Sequence, residues 1–117
     1  WLALTGCSRR AGEVVQVEVA SLVSAPRASG ERVGVFAALA QREVLTAVPR
    51  GENAGQRLTE YAVVRDLAGP VARGDSLQLQ LRAPVGVEAG ALEVVVFAQD
   101  LATRAIVGVT RASACAG

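Results

Sequence analysis

The sequence of 117 residues contains no histidine, no methionine and no lysine, and all 12 of its basic residues are arginine. Without histidine, the chain can build neither a Ser-His-Asp or Cys-His catalytic arrangement nor an imidazole metal site. The two cysteines, Cys7 and Cys115, are too few for a zinc site of the usual four ligands, and they form no Cys-x-x-Cys pair. These absences exclude much catalytic chemistry, and we expect no cofactor, no metal and no enzyme activity.

Charge and aromatic content argue against a nucleic-acid partner. The formal net charge is +1, from 12 arginines and 11 acids that are scattered along the chain, whereas nucleic-acid binding needs a basic stripe or patch. The aromatic residues, 3% of the total, are too few and too dispersed to stack bases. No apolar run approaches the roughly 18 residues that cross a bilayer, so we also expect no membrane-spanning segment.

Alternation of apolar and polar residues with a period of two is the recurring pattern. Between residues 13 and 22, Val15, Val17 and Val19 alternate with polar side chains, which is typical of a strand with one buried face. The run from 94 to 97 is apolar on both faces, as in a central strand. The sequence predicts about seven strands, over residues 13–22, 32–40, 44–48, 58–67, 76–82, 92–99 and 105–111. Residues 58–67 also fit a short helix, but their β-branched residues and Tyr61 favour a strand.

Turn signals separate these strands. Strands are predicted to end at the polar residues 41–43 and at the Gly/Pro-containing segment 68–75. The short connections predict antiparallel hairpins at 32–48 and 92–111. The fold class is therefore all-β, an antiparallel immunoglobulin-like β-sandwich that forms one domain over residues 13–117.

Residues 1–12 are predicted to be an N-terminal tail or the remnant of an export signal. Leu4-Thr5-Gly6-Cys7 is similar to a bacterial lipoprotein cleavage box, in which Cys7 would carry the lipid. The alternative is an ordinary N-terminal strand or tail. A disulfide between Cys7 and Cys115 is also plausible, because the two ends of a compact domain often lie close together. Lipidation and the disulfide exclude each other, and two free thiols are the third alternative.

The densest cluster of special residues lies between residues 50 and 66. One interpretation is a loop-to-strand corner, in which glycines take positive φ and Asn53 bonds neighbouring backbone groups. The other is a recognition loop anchored by Arg65, since exposed loops often carry binding residues. The candidate residues of this interaction or structural motif are Arg50, Gly51, Glu52, Asn53, Gly55, Arg57 and Arg65.

The same region carries three carboxylates that an enzyme could use, Glu52, Glu60 and Asp66. A pair of carboxylates acting as acid and base needs a substrate cleft between them. A valine-rich sandwich pattern supplies no such cleft, so we do not expect catalysis from these residues.

Two segments resemble a known family. The first is a Gly-Glu-Asn-x-Gly-x-x-Leu pattern at residues 51–58, preceded by residues 36–39 and followed by Val-Val-Arg at 63–65. The second is residues 95–104, followed by Ile106 and a late cysteine, Cys115. Both are similar to the C-terminal β-domain of secreted thioredoxin-like bacterial proteins of unknown function (domain of unknown function 1223 type), and the resemblance covers about residues 14–115.

The resemblance implies an exported protein and a neighbouring thioredoxin-like domain. Glu60 stands where the family usually has histidine, and the family's redox-active domain has no counterpart in this sequence. We therefore predict a non-catalytic accessory or protein-interaction domain of a periplasmic, secreted or cell-envelope protein, with a thioredoxin-like domain or another envelope protein as partner. The alternative is a lipoprotein anchored to the cell envelope through Cys7.

Overall fold

The computed structural model describes residues 2–22, 32–43, 61–74 and 76–116. This part of the chain contains a single 3-10 turn at Ala89–Ala91 and no helix of the length and apolar content needed to cross a membrane. It forms eight strands: β1 (Ala3–Ala11), β2 (Val14–Leu22), β3 (Val33–Glu43), β4 (Tyr61–Ala72), β5 (Leu77–Arg82), β6 (Leu92–Asp100), β7 (Ile106–Arg111) and β8 (Ser113–Ala114).

The strands form two sheets of four strands each. The first sheet has the order β5-β2-β1-β8 and the second has the order β4-β3-β6-β7. Neighbouring strands are antiparallel except β1 and β8, which are parallel. The chain forms β1 and β2 in the first sheet and β3 and β4 in the second, returns to the first sheet for β5, and crosses again for β6 and β7. Immunoglobulin-like sandwiches have the same kind of crossings between sheets. The predicted antiparallel sandwich is confirmed, with eight strands in place of about seven.

The core lies between the two sheets and is built from the apolar residues of the alternating pattern. Val17, Val35 and Val96 are fully buried, and so are Leu39 and Leu81. Because side chains alternate between the faces of a strand, the inward positions of β2 and β5 are the valines and leucines that the sequence pattern identified. The 92–111 hairpin is confirmed as the pair β6–β7.

The N-terminal segment is an ordinary strand, which the sequence analysis gave as the alternative to an export-signal remnant. Residues 3–11 are strand β1, which pairs with β2 along its whole length, and Leu2 and Leu4 are buried in the core. The pattern was hard to recognise because the next inward position is Gly6, whose missing side chain leaves room for Val96. Strand β1 is therefore an integral part of the first sheet, whereas the sequence predicts a sandwich domain that begins at residue 13.

Two predicted interruptions are wrong. β3 continues through residues 41–43, and β4 continues from Tyr61 to Ala72 through Gly69 and Pro70, where the register with β3 shifts. Proline is tolerated there because β4 is the edge strand of its sheet and needs no ladder donor on its outer side. Residues 44–48, the predicted return arm of the 32–48 hairpin, lie outside the described residues, and both edges of β3 are occupied by β4 and β6.

Candidate functional site

The predicted recognition loop is represented in the structure by Arg65 alone. Arg50, Gly51, Glu52, Asn53, Gly55 and Arg57 lie outside the described residues, so their role stays a prediction. Arg65 is exposed on β4, and its Nε donates a hydrogen bond of 2.6 Å to Oε1 of Gln41 on β3. This contact braces the edge strand against its neighbour.

Asp66 has a structural role in the described structure. Its Oδ1 accepts a hydrogen bond of 2.9 Å from the backbone N of Leu67, and its Oδ2 accepts one of 2.7 Å from the backbone N of Arg82. Asp66 belongs to β4 of the second sheet and Arg82 to β5 of the first. The carboxylate therefore joins the two sheets along one edge of the sandwich.

We expect Asp66→Ala to lower the free energy of unfolding by about 2 kcal/mol, because hydrogen bonds to a charged acceptor contribute more than neutral ones. Asp66→Asn keeps one acceptor oxygen and is expected to lose about half as much. Urea unfolding followed by circular dichroism measures both values. Equal stability of wild type and Asp66→Ala would show that this bridge between the sheets contributes nothing.

The closing segment of the family resemblance, residues 95–104, covers the second part of β6 and the β6–β7 turn. Oδ1 of Asp100 accepts hydrogen bonds from the backbone N of Ala102 (2.8 Å) and of Thr103 (3.1 Å). Nε2 of Gln99 donates to the carbonyl of Arg104 (2.9 Å), a residue whose φ is +69°. These polar residues form the turn, and no ligand is needed to explain them.

Cys7 and Cys115 are joined by a disulfide, with a Cα–Cα distance of 4.8 Å. Cys7 lies in β1, next to the short parallel strand β8, and the backbone N of Cys115 donates to the carbonyl of Ser8. Lipidation of Cys7 is incompatible with this arrangement, because the sulfur is already bonded. Cleavage before Cys7 would also remove Leu2 and Leu4, whose side chains are part of the core.

The outer face of the second sheet carries an apolar patch, which the Glu93–Arg111 ion pair and Gln99 border. Val64 and Leu67 of β4 are 60% and 54% exposed, and Val109 of β7 is 51% exposed. Between them lie Phe36 of β3 and Phe97 of β6, which are cross-strand partners with ring centroids 4.9 Å apart. We call Phe36, Val64, Leu67, Val95, Phe97 and Val109 the outer apolar face.

These residues are adjacent because of the strand register. Leu67 is the partner of Ala38, Ala38 is the partner of Val95, and the next row joins Phe36, Phe97 and Val109. Residues 94–97 are apolar on both faces of the predicted strand, but no local pattern identifies which strands lie beside the outward side. The complete surface depends on pairing between strands that are distant in the sequence.

Open grooves also occur among the described residues, and one of them lies between the two sheets. The groove between the sheets beside β1 and β6 has a volume of about 390 Å³, and its floor includes Val15, Leu39 and Val94. Of its charged residues, Arg10 bonds the carbonyl of Gly12, and Glu93 pairs with Arg111 at 3.6 Å. Within the described residues, this groove brings together no pair of unengaged charged groups.

A family model described as "Protein of unknown function (DUF1223)" matches residues 5–99, which is most of the chain. The chain belongs to this family. The resemblance stated from the sequence motifs is thereby confirmed for the family itself, whereas a neighbouring thioredoxin-like domain stays a prediction.

The fold of this DUF1223 chain is similar to a solved structure of 13% sequence identity, a domain of the outer membrane lipoprotein Omp28 from Porphyromonas gingivalis. The TM-score is 0.63, and the similarity covers 97% of this chain and 87% of the other. At this identity the likeness shows a shared fold. No curated protein sequence matches the chain.

Proposed function

We propose that this chain is a non-catalytic accessory or protein-interaction domain of an exported bacterial protein, and that its outer apolar face binds the partner. The exposure of Val64, Leu67 and Val109 beside the stacked pair Phe36–Phe97 carries this proposal. A contiguous exposed apolar patch on a folded domain commonly marks an interaction site.

The two outer faces of the sandwich differ in a way that favours a partner on one side only. An antiparallel sheet with one face in water has polar outward residues. The first sheet follows this rule, since its outward positions include Gln16, Glu18, Gln78 and Gln80. The outer apolar face breaks the rule, which is consistent with a second protein surface covering it.

The disulfide supports the proposed compartment. Disulfides such as Cys7–Cys115 form and persist in oxidising compartments and are rare in the cytosol. The fold neighbour is described as a domain of an outer membrane lipoprotein, which supports a cell-envelope location by analogy. We therefore propose that the chain is periplasmic, secreted or attached to the envelope, without a lipid at Cys7.

The partner proposed for the outer apolar face is a thioredoxin-like domain or another envelope protein. A non-catalytic role is supported by what the described carboxylates do. Asp66 is engaged by backbone amides of two strands, and Asp100 is engaged by the amides of its own turn. Asp66 lines an open groove of about 400 Å³ with Glu13, Arg65 and Arg82, but both of its carboxylate oxygens already accept hydrogen bonds from backbone amides there.

The proposal is tested by photo-crosslinking in the bacterium that produces the protein. A photoreactive amino acid at Leu67 reports on the outer apolar face, and one at Gln78 reports on the polar face of the first sheet. We expect an adduct at Leu67 that mass spectrometry identifies as a thioredoxin-like or other envelope protein. Equal labelling at both positions, or no adduct at Leu67, would contradict the proposal.

Val109→Arg is expected to reduce the Leu67 adduct at least tenfold, because it places a charge in an apolar contact that must lose its water. The matched control is Gln78→Arg, which adds the same charge to the polar face. Both substitutions are on the surface and are expected to change the free energy of unfolding by less than about 0.5 kcal/mol. Loss of the adduct in the control, or its persistence in Val109→Arg, would argue against binding through this face.

A further inference from the structure

A carboxylate lies beside the disulfide on the outer face of the first sheet. Cys7 and Glu18 are direct partners in the β1–β2 register, so their side chains share one face. Oε2 of Glu18 lies 3.7 Å from Sγ of Cys7. The two sulfurs and a Glu18 oxygen all lie within 4.8 Å of one another. Three groups that bind metals therefore converge from β1, β2 and the segment after β8.

The distance between the sulfur and the carboxylate oxygen suits a cation with tetrahedral coordination. Zinc binds thiolate sulfur at about 2.3 Å and carboxylate oxygen at about 2.0–2.2 Å, which places a sulfur and an oxygen ligand about 3.6 Å apart. The observed distance between Sγ of Cys7 and Oε2 of Glu18 is 3.7 Å. Once the two sulfurs are no longer bonded, side-chain rotation can separate them to the roughly 3.8 Å found between two thiolates on one zinc ion.

We propose that, when the disulfide is reduced, Cys7, Cys115 and Glu18 form a binding site for a thiophilic divalent cation of the Zn²⁺ type. A dithiol reductant supplies two electrons and two protons, which cleave the S–S bond into two thiols and leave the reductant as a cyclic disulfide. The cation then displaces the two thiol protons, forms two metal–sulfur bonds and takes the Glu18 carboxylate as third ligand. Water fills the fourth position.

The surroundings allow this exchange. Cys7 and Cys115 are half-buried and Glu18 is exposed, so a reductant and an ion can both reach the site. Glu18 forms no ion pair with any arginine in the described part of the chain. The guanidinium of Arg9 instead donates to the carbonyl of Ala116. No local motif in the sequence indicates this site, since there is no histidine and no Cys-x-x-Cys pair. Glu18 and Cys115 are 11 and 108 residues from Cys7.

The test is a Cd²⁺ titration of the whole chain, reduced by a phosphine that contributes no thiol ligand. Thiolate-to-cadmium charge-transfer absorption in the ultraviolet reports binding. We expect one Cd²⁺ per reduced chain and no such absorption in the oxidised chain. Glu18→Gln is expected to weaken binding at least tenfold, and the control Glu88→Gln, which changes an exposed glutamate in a loop, is expected to leave it unchanged.

The glutamate dependence distinguishes a folded site from two cysteines on an unfolded chain. If reduction unfolds the protein, the thiols will bind Cd²⁺ equally well in wild type and in Glu18→Gln, and that result would overturn the proposal. The proposal also fails if reduced wild type binds no more tightly than Cys7→Ser/Cys115→Ser. As a second readout, we expect Zn²⁺ to raise the Tm of the reduced wild type and not that of the double-serine variant.

Discussion

Replacement of both cysteines by serine, Cys7→Ser/Cys115→Ser, is expected to lower the free energy of unfolding by about 4 kcal/mol. The disulfide joins residues that are 108 positions apart, so it removes a large amount of conformational freedom from the unfolded chain. Single domains are usually stable by only about 5–15 kcal/mol. The loss would therefore make the folded state marginal.

Urea unfolding of the oxidised wild type and of the double-serine variant measures this difference. Serine is nearly isosteric with cysteine, and both sulfurs lie outside the core cluster, so no cavity is created in the core. The control is the wild type with reductant, which we expect to match the serine variant, while reductant leaves the variant itself unchanged. A difference of less than about 1 kcal/mol would contradict the chain-entropy account.

The second large effect is expected at Gly69 in the edge strand β4. Its φ is +109°, a backbone conformation that residues with a side chain rarely adopt. A Cβ added there would lie 2.5 Å from the carbonyl oxygen of Val35 and 3.1 Å from Cα of Phe36. Both are backbone atoms of β3, which is held on its other side by β6. Strain and steric overlap therefore act together.

We expect Gly69→Ala to lower the free energy of unfolding by about 4 kcal/mol, the sum of backbone strain and steric overlap. Gly86→Ala is the matched control, because Gly86 has a φ of +81° but nothing within 4 Å of an added Cβ. It should cost about 1 kcal/mol from strain alone. Gly90→Ala, with open space and no positive φ, should be close to neutral. Equal losses at Gly69 and Gly86 would show that the contact with Val35 is harmless.

The alternation of apolar and polar residues was sufficient to predict the strands whose inward positions carry large apolar side chains. In β2 three valines fill every second position, and in β5 three leucines, among them Leu81, do the same. In β1 the inward series passes from Leu4 to Gly6 and Ser8, and a short motif similar to a cleavage box lies over the same residues. The period of two was therefore present, but small residues made it invisible.

The sequence was less informative wherever the outcome depended on pairing between distant strands. Nothing local shows that β4 is an edge strand, and only that position makes Pro70 compatible with a continuous strand. The outer apolar face requires β3, β4, β6 and β7 to be neighbours. Glu18 lies directly opposite Cys7 because of the register between β1 and β2. These features are products of topology, which a single sequence does not encode locally.

The position of the disulfide also has a mechanical consequence. Cys7 and Cys115 are 108 positions apart and close a covalent loop, so tension applied to the chain outside this loop is carried by the sulfur–sulfur bond and does not load the strand pairs that lie wholly inside it. Without that bond, unravelling the enclosed segment would release roughly 360–390 Å of length, at about 3.3–3.6 Å per extended residue. In its oxidised state the segment between Cys7 and Cys115 is therefore nearly inextensible, and only the part of β1 before Cys7 can be peeled from β2. A reductant would allow the whole segment to lengthen under load.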